Sequence, residues 1–207
     1  MSAREHAGDE GGHGHKFPAE KWERLVSPER QSLLVPDRLL EQFGVHEGMT
    51  VADLGAGPGF FTFPLATRVG AAGLVYATDI SPEMLSVLES RGLPPQIRPI
   101  LAGESRIPIP DGIVDLALLA FVLHELVHPE AFLHEVRRIL RPTGRLVVLE
   151  WQRREEEMGP PMHERLSQVR SAALLAAGGF IVSEDGEANA SQYYLVARPE
   201  RPEPAHP

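Results

Sequence analysis

The segment from Val51 to Phe60, which reads Val-Ala-Asp-Leu-Gly-Ala-Gly-Pro-Gly-Phe, is the feature that most constrains the fold of this chain. An apolar run containing Asp53 leads into three glycines at alternate positions, and an amphipathic segment, residues 60–69, follows. Glycine has no Cβ, so its backbone turns tightly and can approach a ligand closely. Between a strand and a helix, such a loop directs unpaired N–H groups at whatever lies at the helix N-terminus. The segment predicts a strand, a loop and a helix that bind a ligand, with a tight turn without a ligand as the alternative.

The spacing of these glycines separates two classes of cofactor. The dinucleotide fingerprint is Gly-x-Gly-x-x-Gly, whereas here the third glycine comes one residue early and Asp53 lies two residues before the first. A carboxylate at that position favours a cationic group, such as an α-ammonium, over a pyrophosphate. A nicotinamide-dependent oxidoreductase is an alternative, but the glycine register and the absence of a Tyr-x-x-x-Lys pair argue against it.

The composition narrows the classes of function. The chain has 207 residues, a formal charge of −9 and no cysteine, which excludes disulfides, thiolate metal ligands and a cysteine nucleophile. Its lysines and arginines are scattered, which argues against a nucleic-acid partner. No apolar run resembles a signal peptide or approaches the roughly 20 residues of a membrane span. We therefore expect a cytoplasmic monomer or homodimer without a membrane span.

Strand and helix patterns alternate along the chain. Seven segments are predicted to be strands, and amphipathic helices separate most of them. The alternation predicts an α/β, Rossmann-like fold: a seven-stranded, mostly parallel sheet with helices on both faces. The predicted strands are residues 50–54, 74–78, 96–101, 114–120, 145–150, 181–183 and 193–197. Pro95 and Pro99 place the third strand at a sheet edge.

Local signals also predict the boundaries. Ser27-Pro28 and Ser81-Pro82 combine an N-cap with a first-turn proline, and Ser167 opens the last predicted helix. Residues 141–144 are predicted to form a turn before the fifth strand. We expect one domain over 17–198 with an N-terminal helical cap at 17–48, and flexible tails at 1–16 and 199–207.

Three further stretches, together with the acid-x-Gly-x-Gly-x-Gly loop, resemble the class I S-adenosylmethionine-dependent methyltransferases. They are residues 80–85 (Ile-Ser-Pro-Glu-Met-Leu), 109–115 (Ile-Pro-Asp-Gly-Ile-Val-Asp) and 140–146 (Leu-Arg-Pro-Thr-Gly-Arg-Leu). They are most similar to the ubiquinone and menaquinone C-methyltransferase branch, the methyltransferase type 11 proteins. The resemblance implies an antiparallel last strand, S-adenosylmethionine as cofactor, and in-line transfer of its methyl group to a small-molecule acceptor. A protein that binds S-adenosylmethionine without catalysis is the alternative.

The resemblance also assigns roles to residues that follow the predicted strands. Asp53 would bind the amino end of the cofactor, Asp79 its ribose hydroxyls, and Glu104 the exocyclic amine of its adenine. Alternative roles are helix capping for Asp53, an exposed turn acid for Asp79 and plain core packing for Met84. The implied cofactor-binding residues are Asp53, Gly55, Ala56, Gly57, Gly59, Asp79, Ile80, Met84, Gly103, Glu104, Ser105, Ala120 and Phe121.

Three titratable residues at the ends of the fourth and fifth strands are the candidates for catalysis. His124 is the candidate general base, Glu125 lies beside it, and Glu150 ends the fifth strand. Structural alternatives are a hydrogen bond from His124 to a backbone carbonyl, and an ion pair of Glu125 with Arg137 or Arg138.

The order His124-Glu125-x-x-His128 is that of the zinc-protease helix. Here it directly follows a buried strand, and Pro129 comes immediately after the second histidine. This context is typical of a strand-to-loop passage rather than of two ligands on one helical turn. We therefore predict no metal site.

Overall fold

The computed structural model describes residues 17–200, so the tail predicted at 1–16 and residues 201–207 of the tail predicted at 199–207 lie outside the described residues. Seven strands form one sheet. Each overlaps a segment that was predicted to be a strand. The strands are β1 Thr50–Leu54, β2 Leu74–Asp79, β3 Ile97–Leu101, β4 Val114–Ala120, β5 Leu140–Trp151, β6 Phe180–Asn189 and β7 Gln192–Pro199.

The sheet is mostly parallel. Its strand order is β3-β2-β1-β4-β5-β7-β6, and β1 to β5 pair in parallel. β7 runs antiparallel to both β5 and β6, which confirms the implied direction of the last strand. The chain order reverses between β1 and β4, so the carboxyl ends of these two strands border the crevice where open α/β sheets bind ligands.

β3 lies at one edge of the sheet, as its prolines predicted. It is hydrogen-bonded to β2 alone, and Pro99 lies opposite Ala77. Proline has no N–H to donate, and an edge strand needs ladder hydrogen bonds on one side only. The edge position therefore accommodates a residue that a central strand would exclude.

Helices connect the strands at the predicted places. Ser27, Ser81 and Ser167 each accept a hydrogen bond from the backbone N–H three residues further on, which confirms them as N-caps. Among residues 17–200, the helices are too short or too polar to cross a bilayer. The α-helices are α1 Pro28–Leu34, α2 Pro36–Gln42, α3 Thr62–Val69, α4 Pro82–Ser90, α5 Pro129–Ile139 and α6 Gln168–Ala177, and 3₁₀ helices span Ala19–Val26 and Leu123–Glu125.

Both faces of the sheet are covered by helices. Along β4, Leu116 and Leu118 belong to the apolar cluster that includes residues of α1 to α4, whereas Ala117 and Leu119 belong to the cluster that includes α5 and α6. All four are fully buried. Because successive residues of a strand point to opposite faces, a continuous apolar run is what a strand buried on both sides requires.

The start of β5 differs from the prediction. Residues 141–144, predicted as a turn, lie within β5, which begins at Leu140. The ladder partner moves from Leu140 to Arg145 while β4 advances only from Val114 to Leu116. Residues 141–144 therefore form an irregularity inside β5 and not a turn before it, because Leu140 already pairs with Val114.

β6 and β7 are longer than predicted. They form one antiparallel ladder that runs from the pair Phe180–Pro199 to the pair Asn189–Gln192. The N–H of Glu200 also donates to the carbonyl of Gly179 at 2.8 Å. The prediction of a tail beginning at residue 199 was therefore wrong for Pro199 and Glu200, since cross-strand pairing holds polar residues that local propensity assigns to a loop.

Candidate active site

A cavity of about 690 Å³ opens at the carboxyl ends of β1, β2 and β4. The 3₁₀ helix Ala19–Val26 and α1 line one side of it, and the segment between β5 and α6 lines another. Every predicted site residue lines this cavity except Gly59, Ser105 and Glu150. Those that do are Asp53, Gly55, Ala56, Gly57, Asp79, Ile80, Met84, Gly103, Glu104, Ala120, Phe121, His124 and Glu125.

The three glycines of the loop after β1 have different roles. All have positive φ, +74° at Gly55, +52° at Gly57 and +92° at Gly59. A Cβ on Gly55 would lie 2.4 Å from a methyl of Val122, and one on Gly59 would lie 2.5 Å from a leucine methyl of α4. A Cβ on Gly57 would contact only Leu25, at 3.7 Å, and both residues line the cavity. Gly55 and Gly59 therefore permit packing, while Gly57 leaves the backbone open to a ligand.

Asp79 ties this loop to the start of α4. Its Oδ2 accepts the N–H of Gly57 at 2.7 Å, and its Oδ1 accepts the N–H of Ser81 at 2.9 Å. The side chain is half-buried and lines the cavity. Asp79 is therefore not an exposed turn acid, and two backbone donors hold its carboxylate at the edge of the cavity.

Asp53 is a buried acid at the floor of the cavity. It is 2% exposed, and the hydroxyl of Thr62, in the first turn of α3, donates to its Oδ2 at 2.6 Å. Burial raises the pKa of Asp53 to about 7, the bond from Thr62 opposes this, and the charge of Asp79 adds to it. This bond with Thr62 comes from a side chain, and α3 has no side-chain capping bond at its start, so the structure does not show the helix-capping alternative. A cation in the cavity would favour the ionised form of this carboxyl group.

The segment after β3 differs in part from the expected adenine subsite. Glu104 lines the cavity, but its Oε2 accepts the N–H groups of Val127 and His128 at 2.9 and 2.8 Å. Ser105 is exposed and does not line the cavity. The carboxylate of Glu104 thus also fastens the segment that precedes α5.

Ile80 and Met84 lie where the two apolar walls were expected. Ile80 is 43% exposed and Met84 4% exposed, and both line the cavity. An exposed isoleucine at the mouth of a cavity is an apolar surface that a flat ligand can cover. Met84 is buried from α4 and combines core packing with the cavity wall.

His124 and Glu150 form a buried pair at the ends of β4 and β5. Nδ1 of His124 lies 2.9 Å from both carboxylate oxygens of Glu150. Glu150 is fully buried and also accepts the N–H groups of His124, at 3.2 Å, and Trp151, at 3.3 Å. Burial alone would lower the pKa of His124, but the charge and hydrogen bond of Glu150 raise it overall. The sequence named both residues as candidates but did not predict that they pair.

Glu125 is the second titratable group of this corner. Its Oε1 lies 4.0 Å from Nε2 of His124, and neither Arg137 nor Arg138 pairs with it among the described residues. Burial raises the pKa of Glu125 to about 7, the charge of His124 lowers it, and neighbouring acids, Glu150 foremost, raise it further. The carboxyl group therefore changes charge near neutral pH inside the cavity.

The His-Glu-x-x-His order does not form a zinc-binding helix. His124 and Glu125 lie in the 3₁₀ helix Leu123–Glu125, and His128 is the N-cap residue before α5. The side chain of His124 turns to Glu150, whereas His128 is exposed. The predicted passage from strand to loop is confirmed.

An aromatic wall runs along the cavity and includes Phe121, one of the implied cofactor-binding residues, and Trp151. Phe121 has φ +63°, which is strained for a residue with a Cβ and turns the chain sharply at the end of β4. Its ring lies 5.3 Å from that of Trp151, and the guanidinium of Arg30 lies 4.8 Å from its centroid. Arg30 also lies 5.1 Å from the ring of Phe60. Arg30 was missed because no local pattern shows which face of a seven-residue helix meets a cavity.

The segment between β5 and α6 is held by a second buried arginine. Arg165 is 3% exposed, donates to three backbone carbonyls of its own segment and pairs with Glu156 at 3.0 Å. Its guanidinium also lies 5.2 Å from the ring of Trp151. These contacts fix the part of the cavity wall that is formed by Met158, Gly159, Pro160, Pro161 and Glu164.

Comparison of the sequence with known proteins agrees with this geometry. A family model described as a methyltransferase domain matches residues 52–148. The ubiquinone/menaquinone biosynthesis C-methyltransferase UbiE of Ectopseudomonas mendocina is 30% identical over 152 residues, which are 72% of this chain and 58% of that enzyme. The chain therefore spans less than two thirds of the length of this curated relative.

Solved structures extend the likeness over most of the described chain. A SAM dependent methyltransferase from Aquifex aeolicus has a TM-score of 0.85 at 34% identity, covering 88% of this chain and 98% of that chain. An S-adenosylmethionine dependent methyltransferase from Mesorhizobium loti has a TM-score of 0.62 at 18% identity, covering 78% and 96%, and shows the shared fold. With a matching domain model and this nearly full-length likeness to the Aquifex aeolicus protein, the chain belongs to the class I S-adenosylmethionine-dependent methyltransferases, and its cofactor is S-adenosylmethionine.

Proposed function

We propose that this protein methylates a small molecule that loses a proton during the reaction, and that His124, oriented by Glu150, accepts this proton. The observation that carries the proposal is the buried pair itself. Nδ1 of His124 contacts the carboxylate of Glu150, and His124 also lines the cavity. A protein that only bound the cofactor would have no need of a buried ion pair at the strand ends, where burial opposes charge.

The residues around the cavity fit the cofactor. The backbone at Gly57 is open to a ligand, Asp79 is held at the edge of the cavity by two N–H groups, and Asp53 favours a cation. We assign Gly55 to Gly57 to close backbone contact, Asp79 to the ribose and Asp53 to the amino end. Bound S-adenosylmethionine supplies a methyl group on a positively charged sulfur, which is electrophilic without further activation.

The pair defines the state of the imidazole. Glu150 accepts the Nδ1–H of His124, which assigns the lone pair to Nε2, the nitrogen nearer to Glu125. Nε2 takes the proton of the acceptor, and Glu150 stabilises the resulting imidazolium. The apolar walls of the cavity limit the access of water and so strengthen this interaction.

The aromatic wall favours an aromatic acceptor. The buried rings of Phe121 and Trp151 line the cavity next to the His124–Glu150 pair and give this part of its wall an aromatic surface against which a flat ring can pack. The curated relative named above is a ubiquinone/menaquinone biosynthesis C-methyltransferase, which supports a quinone-related acceptor.

Calorimetric titration with S-adenosylhomocysteine tests the cofactor site. We expect Asp79→Ala to weaken binding by about 1.5–3 kcal/mol, because charge-assisted hydrogen bonds to the ribose are lost. Asp37→Ala, an exposed acid outside the cavity, is the control and should bind as the wild type does. Unchanged affinity of Asp79→Ala would reject the ribose assignment. In a parallel titration of the wild type, binding of NADH without binding of S-adenosylhomocysteine would favour the oxidoreductase alternative.

Turnover tests the base. His124→Asn should bind S-adenosylhomocysteine nearly as the wild type does, because the side chain contacts Glu150 rather than the glycine loop. Release of S-adenosylhomocysteine in the presence of phenolic acceptors should fall by roughly 10²-fold or more, the usual contribution of a general base. Full turnover by this variant would give His124 a structural role only.

A further inference from the structure

Arg30 is a half-buried cation that has no counter-charge among the described residues. Its guanidinium lies between the rings of Phe60 and Phe121, at 5.1 and 4.8 Å from their centroids. Its Nε is buried and has no hydrogen-bond partner, and within residues 17–200 no acid forms an ion pair with this side chain. A guanidinium presents five N–H donors in a fixed fork, and here the donor at Nε is sealed from solvent without an acceptor.

The charge of this group is costly as it stands. Burial lowers the pKa of Arg30 to about 10, which leaves it protonated at neutral pH. A desolvated charge needs a partner, and the two aromatic faces supply only about 0.5–2 kcal/mol of cation–π attraction. An anion that enters the cavity would provide the missing partner.

The lysine and the arginines that line the cavity all come from the N-terminal helices. Glu125, Glu150 and Glu164 surround His124, and each of these acids acts on its charge. Lys21 and Arg24 line the cavity from the 3₁₀ helix Ala19–Val26, and Arg30 lines it from α1, which also contributes Glu29. An anionic group of a bound molecule would be repelled from the acids and attracted to the wall of Arg30.

The aromatic wall connects these two ends. The guanidinium of Arg30 packs on Phe121, Phe121 packs on Trp151, and Trp151 directly follows Glu150 in β5. A ring lying along this wall would have one end towards the basic side and the other towards His124. A substituent at one end of such a ring would then lie near Arg30, and a substituent at the other end would lie near His124 and its neighbouring acids.

We propose that the methyl acceptor is an aromatic carboxylate and that Arg30 binds its carboxylate group. This inference rests on the proposed function and adds the charge of the acceptor to it. A planar, bidentate pair with a carboxylate is the geometry that a guanidinium favours. The carboxylate of the cofactor itself is the other source of the same chemistry, and the experiment separates the two.

The test uses matched pairs of probes on protein saturated with S-adenosylhomocysteine. We expect 3- and 4-hydroxybenzoate to bind about tenfold or more tightly than their methyl esters in calorimetry, which corresponds to at least one charge-assisted pair. Arg30→Met, whose side chain still fills the space between the two rings, should abolish this preference, and Arg30→Lys should retain part of it. Arg38→Met removes the same charge from an exposed position of α2 outside the cavity and should keep the full preference.

The affinity for S-adenosylhomocysteine decides the source of the carboxylate. We expect Arg30→Met to bind it within about twofold of the wild type and to melt at a similar temperature. A large loss of affinity for S-adenosylhomocysteine in Arg30→Met would assign Arg30 to the cofactor and overturn the proposal. The proposal would also be overturned if the wild type bound neither hydroxybenzoate more tightly than its methyl ester. His124→Asn should leave the preference for the carboxylates intact, so the proposed base and the proposed anion site can fail independently.

Discussion

At the scale of single residues, His124 shows how a neighbour sets the chemical state of a common side chain. Glu150 is 26 residues away in the chain, yet both of its oxygens lie 2.9 Å from Nδ1 of His124. The bond fixes the tautomer, and the negative charge raises the pKa of the ring against the effect of burial. The reactivity of His124 therefore depends on Glu150 as much as on the imidazole itself.

This dependence predicts a shift of the pH profile. Only the neutral imidazole accepts a proton, so kcat/KM of the wild type should rise with pH through the raised pKa of His124. Glu150→Gln removes the charge that raises this pKa, so the midpoint should move to lower pH and the plateau should fall by roughly 10²-fold. The measurement is kcat/KM between pH 5 and 10 for both proteins. An unmoved midpoint would mean that another group titrates.

The same pair links stability to pH. A histidine pKa that folding raises stabilises the protein fully below its unfolded value of about 6.5, and this contribution is lost as pH rises through the folded value. The difference in unfolding free energy between wild type and Glu150→Gln should therefore shrink from pH 6 to pH 9. A constant difference would point to packing alone.

At the scale of elements, the loop between β1 and α3 combines two demands on glycine. Gly55 needs positive φ, and a Cβ there would lie 2.4 Å from Val122. Gly48, in the turn before β1, needs positive φ as well, but a Cβ there would meet nothing within 4 Å. The two positions separate backbone strain from steric conflict.

We expect Gly48→Ala to lower the unfolding free energy by about 1–2 kcal/mol, the cost of the left-handed conformation alone. Gly55→Ala should cost more than Gly48→Ala, because Val122 must also move, and it alone should weaken binding of S-adenosylhomocysteine. Chemical denaturation and calorimetry give the two quantities. Adding Val122→Ala should recover part of the loss at Gly55. Equal effects of the two glycine variants would remove the steric argument.

At the scale of the whole molecule, the cavity joins parts of the chain that are distant in sequence. Its walls come from the N-terminal helices, from the carboxyl ends of the central strands and from the segment held by Arg165. A ligand that contacts all three binds the folded protein and not the unfolded chain. Binding must therefore raise the stability of the whole domain.

The size of this effect follows from mass action. At a concentration of 100 times its Kd, S-adenosylhomocysteine adds about 2.7 kcal/mol, which in a chain of this length raises Tm by roughly 5–10 °C. Scanning calorimetry with and without the ligand measures the shift, and Asp79→Ala at the same concentration should show a smaller one. The absence of any shift in the wild type would contradict the assigned cofactor site.

Much of the fold could be predicted because its causes are local. Apolar runs, alternating patterns and capping serines predicted the strands and helices, and Pro99 predicted the edge position of β3. The extra length of β6 and β7 could not be predicted, because their outer residues are held by each other. The strand ends likewise predicted Asp53, Asp79 and His124 at one cavity, since parallel strands end at the same edge.

The sequence by itself determined the glycine loop and the succession of strands and helices, because steric freedom and periodicity act over a few residues, and its resemblance to a known family implied the class of cofactor. Tertiary structure alone decided which groups became partners. It paired Glu150 with His124, directed Glu104 to the N–H groups before α5, and placed the guanidinium of Arg30 between two rings. Hydrogen bonding and desolvation depend on neighbours from distant parts of the chain, so the chemistry of these side chains exists only in the folded molecule.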